Sequence, residues 1–256
     1  MTSFEPRYYE MAREEGDWSS FPRSKVLEYL RANLKVGSSV LEVGCGTAEI
    51  LSFLPSGVSY YGLERSDYAV RGAKEKWAGI FPDATFLVGE AENLPFSEAR
   101  FDTVLLLFVI EHVFHPRQVL AECVRVLKRG GSLVILAPNL EFPFSRPSAL
   151  RHRSAFWRIG FVALRMLDYF LRIFGIFTFR IVKENFTDAT GRYEKKDDDL
   201  RYLASSYEVI RELESLGMRL EKFWEAGKLS GFRRFLRYFP KLHWYGVTLA
   251  AALVKS

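Results

Sequence analysis

The chain has 256 residues, of which 48% are hydrophobic and 26% are charged, and its formal net charge is +5. This length accommodates one large α/β domain, or such a domain with an insertion, and the hydrophobic content is too high for a disordered protein. The acidic, polar start lacks the apolar stretch of a signal peptide, and the absence of an 18-residue uncharged apolar run argues against a spanning helix.

Residues 1–35 are predicted to form an N-terminal helical cap. Over residues 36–139, short apolar runs then alternate with segments of helical periodicity, as in a parallel sheet whose strands are buried on both faces. The predicted strands are Ser39–Val43, Ser59–Leu63, Thr85–Val88, Asp102–Phe108 and Ser132–Ala137, and the predicted helices are Ser66–Gly79 and Pro116–Leu127. The second of these helices is expected to end in a basic turn followed by a glycine stop, Lys128–Gly131. This alternation predicts a doubly wound α/β sheet.

A glycine loop follows the first predicted strand, in the stretch VLEVGCGTA at residues 40–48. Gly44 and Gly46 allow the backbone to turn sharply and to approach a ligand without an intervening Cβ. The loop has two other interpretations, a simple glycine turn and a dinucleotide site. A dinucleotide site needs a third glycine, but Glu49 stands there, and its carboxylate would repel a pyrophosphate.

These residues resemble the first motif of the class I S-adenosylmethionine-dependent methyltransferases, an acidic residue followed by spaced glycines. Glu42, Gly44 and Gly46 match it, and Ala48 replaces the usual last glycine. The resemblance implies a mostly parallel, Rossmann-like sheet of seven strands with S-adenosylmethionine as cofactor. It implies that Glu64, at the end of the second strand, accepts hydrogen bonds from both ribose hydroxyls.

Later segments match the same family in order. The resemblance implies that the loop containing Glu90, Ala91 and Glu92 flanks the adenine. Residues 101–113 resemble the fourth strand and its exit, and residues 126–134 resemble the approach to strand five. Glu111-His112-Val113, with the nearby His115-Pro116, is similar to the subgroup that includes the quinone-biosynthesis methyltransferases. That likeness implies a backbone contact from Leu107 to the methionine part of the cofactor, and Arg23 as the grip on its carboxylate.

Candidate catalytic residues lie at the exit of strand four. Methyl transfer from a sulfonium relies mainly on positioning and desolvation, and an oxygen acceptor also benefits from a general base. His112 is the candidate base and Glu111 the second candidate, and the alternative is that both only order the loop. His112 and His115 have no nearby acidic or cysteine partner in a ligand pattern, so no metal is expected. Leu107–Ile110 does not match the motif of base-methylating enzymes, which argues against nucleic acid as substrate.

Residues 140–200 are predicted to form a helical insertion after strand five. It contains a basic connection at residues 141–153, a helix at about residues 154–177, and an exposed charged loop at residues 183–201. On the helix, Arg158, Arg165 and Arg172 fall within about 40° of one another, Asp168 joins them, and every other direction is apolar. We expect the wide apolar side either to cover the acceptor pocket or to lie on a bilayer.

Residues 201–256 are predicted to complete the sheet. The helix is Ser206–Leu216, and the closing strands are Met218–Glu225 and Val247–Val254. Residues 231–244 between these strands interleave four cations with five aromatic residues and a histidine, a composition that suits a lipid headgroup interface. Residues 154–177 and 231–244 could instead pack on each other or across a homodimer, and shield the site.

The sequence therefore predicts a methyltransferase that acts on a small hydrophobic or lipid-like acceptor. The alternatives are a non-catalytic S-adenosylmethionine-binding module with an interaction surface, and a nucleic-acid-directed methyltransferase. The positive net charge favours an anionic partner, either a membrane surface or nucleic acid. The chain has two cysteines, Cys45 and Cys123, too few for a disulfide framework, which suits a reducing compartment. Both are expected to be small packing residues. We expect a cytoplasmic protein, with peripheral attachment to the inner face of a membrane if the membrane contact exists.

Overall fold

A seven-stranded sheet organises the computed structural model, which describes residues 22–140, 154–181, 201–224 and 248–256. Strands β1 to β5 are parallel, β7 is antiparallel to both β5 and β6, and the order is β3-β2-β1-β4-β5-β7-β6. The strands are β1 Ser39–Val43, β2 Ser59–Glu64, β3 Thr85–Val88, β4 Phe101–Leu107, β5 Leu127–Pro138, β6 Met218–Phe223 and β7 Thr248–Lys255. The predicted doubly wound, mostly parallel fold is confirmed.

The helices begin where the sequence offers capping residues. In α2 the side chain of Ser66 accepts a hydrogen bond from the Ala69 N–H, and α3 opens with Pro116, whose missing N–H is not needed in a first turn. The described α-helices are α1 Arg23–Asn33, α2 Asp67–Trp77, α3 Pro116–Val126, α4 Ala155–Ile173 and α5 Ser206–Ser215, and short 3₁₀ helices cover Glu49–Phe53 and Ile110–His112.

Two hydrophobic clusters cover the two faces of the sheet. Neighbouring residues along β4 enter opposite clusters, with Leu106 facing α3 and α5 while Leu105 faces α1 and α2. Such alternation with both faces buried explains why the strands are continuously apolar in the sequence. Cys45 and Cys123 are buried free thiols within these clusters, as predicted for packing residues.

Strand β5 begins earlier than predicted. The predicted basic turn and glycine stop, Lys128–Gly131, lies inside β5, whose pairing with β4 shifts register between Phe101 and Thr103. Gly130 has φ +75°, and a Cβ on Gly131 would stand 2.9 Å from the Lys128 carbonyl oxygen. The two glycines therefore allow a tight excursion within the strand instead of ending the helix.

Helix α4 turns its charges inward, which corrects the expectation that its apolar side covers the acceptor pocket. Arg165, Asp168 and Arg172 are at most 4% exposed, whereas Phe156 is 87% and Phe174 66% exposed. The apolar side therefore faces outward. None of the helices in the described ranges has the length and apolar character needed to span a bilayer.

Several predictions concern residues outside the described ranges. These are the first part of the N-terminal cap (residues 1–21), the basic connection at residues 141–153, almost all of the charged loop at residues 183–201, and the basic-aromatic segment at residues 231–244. They stay predictions.

Candidate active site

The glycine loop connects the carboxyl end of β1 to the following 3₁₀ helix. Gly44 has φ +71°, and its N–H donates to the Leu63 carbonyl oxygen at 2.7 Å. A Cβ on Gly44 would stand 2.4 Å from Cγ2 of Val109, closer than any real Cβ contact. Gly46 and Ala48 also adopt positive φ, of 52° and 57°. Glycine is thus required at Gly44 for conformation and for space, while alanine at Ala48 takes the left-handed conformation despite its Cβ.

Glu64 ends β2 directly beside this loop. Its side chain is buried, its Oε2 accepts a hydrogen bond from the Gly46 N–H at 3.1 Å, and its Oε1 accepts one from the Ser66 N–H at 3.0 Å. Each carboxylate oxygen has two lone-pair sites, so both can accept a further hydrogen bond. The geometry suits a carboxylate that is held in position to receive two donors from a ligand.

Glu42 lies on β1 behind the loop, where its side chain is 5% exposed. The Tyr60 hydroxyl donates a hydrogen bond to it. Burial raises the pKa of the Glu42 carboxyl to about 8, the bond from Tyr60 opposes that rise, and the charges of Glu64 and Glu49 add to it. Glu42 therefore supports the loop from within the sheet, and its predicted cofactor contact stays a prediction.

The loop predicted to flank adenine lies at the same edge of the sheet. The Gly89 N–H donates to the Glu64 carbonyl oxygen at 3.0 Å, which joins the start of this loop to the end of β2. Glu90 is exposed, Ala91 packs against the hydrophobic core, and the Glu92 carbonyl oxygen accepts a hydrogen bond from the Gln118 amide. The loop is thus joined to the end of β2 by one backbone hydrogen bond and to α3 by the Gln118 side chain.

The exit of β4 adds two residues that sequence reasoning missed, Phe108 and Val109. Phe108 has φ +58°, an uncommon conformation for an aromatic residue and one that clusters at functional sites. The Arg23 guanidinium lies 4.8 Å from the centre of the Phe108 ring. Arg23 therefore lies against the residue that follows Leu107, at the edge of the sheet that carries Gly44. The only sequence signal for Phe108 and Val109 was their position directly after the strand.

Glu111 and His112 follow on a 3₁₀ turn. Glu111 is 2% exposed, and its carbonyl oxygen accepts hydrogen bonds from the backbone N–H groups of Arg201 and Tyr202, at 2.7 and 2.9 Å. Its Oε1 lies 3.8 Å from Nε2 of His112. A carboxylate so close to an imidazole can orient the ring and stabilise its protonated form. Within the described ranges, no group of three His, Cys, Asp or Glu side chains could hold a metal ion.

Residues 41–135 match the family model described as a methyltransferase domain. The chain is 32% identical over 123 residues to phosphatidylethanolamine N-methyltransferase of Cereibacter sphaeroides, a match covering 47% of this chain and 59% of that protein. It is 35% identical over 118 residues to demethylmenaquinone methyltransferase of Thermotoga maritima, covering 44% and 48%. With a phthiotriol/phenolphthiotriol dimycocerosates methyltransferase of Mycobacterium tuberculosis, identity is 39% over 110 residues, covering 41% and 40%. The chain thus spans about half the length of these curated relatives.

Solved structures share the fold over most of the chain. A SAM-dependent methyltransferase from Aquifex aeolicus superposes with a TM-score of 0.59 at 18% identity, covering 98% of this chain and 99% of that one. The [4+2]-cyclase SpnF superposes with a TM-score of 0.56 at 16% identity, covering 91% and 80%. Because a cyclase shares this architecture, the likeness shows the fold alone.

Proposed function

We propose that this chain, whose residues 41–135 match the model of a methyltransferase domain, is a class I S-adenosylmethionine-dependent methyltransferase that transfers a methyl group to a hydrophobic, lipid-like acceptor. The observation that carries the proposal is the contact between the glycine loop and Glu64, in which a buried carboxylate accepts a hydrogen bond from the Gly46 N–H. This arrangement joins a backbone cradle to an acceptor of hydroxyl hydrogen bonds at the carboxyl edge of a parallel sheet, where doubly wound folds bind their ligands.

The residues at this edge fit S-adenosylmethionine. Glu64 would accept hydrogen bonds from the ribose hydroxyls, and the Gly44–Gly46 backbone would line the cofactor site. The Val109 side chain leaves no room for a Cβ at Gly44. Arg23 and Leu107 would hold the methionine part, and the loop of Glu90, Ala91 and Glu92 would flank the adenine. When bound, this cofactor supplies an electrophilic methyl group on a sulfonium.

His112 is placed to serve the acceptor. Its imidazole is mostly buried beside the Glu111 carboxylate, so it can accept a proton from a hydroxyl acceptor at one ring nitrogen while Glu111 orients the ring. Burial in this region also excludes water, which strengthens the interaction between charged groups. The chain's own contribution is thus to position the acceptor, to keep water away and to receive a proton.

The lipid-like character of the acceptor is supported by the relatives. Their names specify phosphatidylethanolamine, demethylmenaquinone and phthiotriol dimycocerosates, and all three are hydrophobic or lipid-linked molecules. Near the proposed site, Arg165 of α4 donates a hydrogen bond to the Leu140 carbonyl oxygen, just beyond the end of β5. The charged side of α4 therefore lies close to the carboxyl end of β5.

Incubation with S-adenosylmethionine and a membrane lipid extract tests the proposal. We expect S-adenosylhomocysteine to form and one lipid species to gain the mass of a methyl group. His112→Gln should lower turnover by about 10²–10⁴-fold if the histidine is a general base, with unchanged cofactor affinity by calorimetry. Cofactor binding without turnover on any lipid or polar extract would instead indicate a non-catalytic binding module, and absence of cofactor binding would contradict the whole proposal.

A further inference from the structure

Helix α4 carries an exposed apolar surface that we name the outer face, consisting of Phe156, Ile159, Met166, Leu167, Phe170 and Phe174. On a helix of 3.6 residues per turn these six positions fall within an arc of about 100°. Surface helices of globular proteins normally point such a stripe at the core and their charged residues at water. In α4 that arrangement is reversed.

The reversal is maintained by ion pairs on the opposite side of α4. Asp168 pairs with Arg165 at 3.4 Å and also with Arg180, while Arg172 lies 3.6 Å from Glu208 of α5. Rotating the helix to bury its outer face would separate these ion pairs. Any charge that stayed buried would then lack its partner, which is strongly unfavourable. The outer face is thus held outward by the packing of the helix.

We propose that the outer face of α4 docks on the surface of an anionic lipid bilayer. Contiguous apolar surface of this kind marks an interaction site, and an apolar, aromatic helix face beside basic residues suits the boundary between headgroups and acyl chains. The segment that leads into α4, residues 141–158, contains four arginines and one carboxylate, a net charge of +3, whereas Arg165, Arg172 and Arg180 are already paired with carboxylates of the chain. An anionic surface complements this segment in both respects, apolar and electrostatic.

A second copy of the chain fits the outer face less well. A symmetric dimer would place the same patch of both copies together, so the basic segments that lead into the two copies of α4 would approach each other. Like charges brought together in this way oppose association, and an anionic bilayer attracts them. The outer face therefore fits a lipid bilayer better than it fits a second copy of the chain. This proposal does not depend on methyl transfer or on the identity of the acceptor.

Docking through the outer face would also orient the candidate active site. Arg180, which pairs with Asp168 of α4, accepts a hydrogen bond at its carbonyl oxygen from the Leu203 N–H, and the adjacent Tyr202 N–H donates to the Glu111 carbonyl oxygen. The helix is thus connected through two backbone contacts to the turn that carries His112. A bilayer held against α4 would lie near the edge of the sheet where a lipid acceptor must enter.

Sedimentation of the full chain with vesicles tests the docking. With phosphatidylglycerol–phosphatidylcholine vesicles at low salt we expect pelleting, and with pure phosphatidylcholine vesicles much less. Replacing Phe156, Phe170 and Phe174 together with serine should reduce the pelleted fraction at least tenfold. The matched control replaces two exposed apolar residues elsewhere, Val36→Ser and Ile80→Ser, and should pellet like the unmodified chain.

Circular dichroism and cofactor titration verify that each variant is folded, and keep this test separate from that of methyl transfer. The docking proposal is overturned if the unmodified chain stays in the supernatant, if the triple variant pellets as well as its control, or if neutral vesicles bind equally well. Sedimentation equilibrium that shows a dimer lost in the triple variant, without vesicle binding, would identify a second copy as the occupant instead.

Discussion

The sheet and helix α4 both bury acidic side chains, but they surround them with different partners. Glu42 on β1 has the Tyr60 hydroxyl as its hydrogen-bond donor and other carboxylates, Glu64 and Glu49, as its charged neighbours. Asp168 on α4 is fully buried between the guanidinium groups of Arg165 and Arg180. Burial without a neighbouring cation raises the pKa of the Glu42 carboxyl, whereas Asp168 is buried together with two positive charges. Charge is therefore kept low beneath the glycine loop, whereas paired charges hold α4 in place.

The largest expected effect on stability comes from removing Asp168, the carboxylate between the two arginines of α4 and its neighbour segment. Asp168→Ala would leave Arg165 buried without its carboxylate, and breaking a buried pair in this way costs about 3–5 kcal/mol. We expect chemical denaturation to show a loss of that order in the free energy of unfolding. Asp67→Ala is the control, because it removes a pair with Arg71 in which both side chains are 55% exposed, and such surface pairs contribute about 0–1 kcal/mol. Equal losses in both variants would show that α4 is not anchored by charge.

A substitution in the glycine loop should weaken S-adenosylmethionine binding and leave the ion pairs of α4 intact. Gly44→Ala adds a Cβ that would stand 2.4 Å from Val109 and imposes φ +71° on a residue with a side chain. Relief of this strain and overpacking should displace the loop, and restoring its geometry on binding should cost about 3 kcal/mol, a weakening of S-adenosylmethionine binding by about a hundredfold in calorimetry. Gly37→Ala is the matched control, since Gly37 has φ +85° but nothing within 4 Å of the added Cβ. Similar affinity losses in both variants would remove the loop from the site.

Glu64 provides a third kind of buried carboxyl, bonded to backbone amides. Glu64→Gln keeps the shape but replaces one oxygen with an NH₂ group, which donates and cannot accept a ribose hydroxyl. We expect S-adenosylmethionine affinity to fall by about 1.5–3 kcal/mol, the range for hydrogen bonds to a charged group. Glu75→Gln, at an exposed position of α2 outside the proposed site, serves as the comparison and should bind like the unmodified chain. An unchanged affinity for Glu64→Gln would contradict the ribose assignment.

The sequence predicted the sheet well and α4 only in part, for a physical reason. Continuous apolar strands such as β4 have no polar side to misplace, so periodicity and length were sufficient. The stripe of Arg165, Asp168 and Arg172 was visible in the sequence, but its direction depends on partners outside the helix, Arg180 and Glu208. Periodicity shows which residues share a side and not which side is buried. The same limit concealed Val109, whose contact with Gly44 is long-range.

The smallest expected effect tests the neutral carboxyl beneath the loop. Burial raises the pKa of Glu42 from 4.5 in the unfolded chain to about 8 in the fold. The folded state therefore binds more protons than the unfolded state between these two values, and stability is lost as pH rises through that window. Between pH 7 and pH 8 this one group should lower the free energy of unfolding by about 1 kcal/mol. Glu42→Gln stays neutral and can still accept a hydrogen bond from Tyr60, so its denaturation profiles should lack that decline. A decline of the same size in the variant would show that another group causes it, and that the Glu42 carboxyl does not titrate between pH 7 and pH 8.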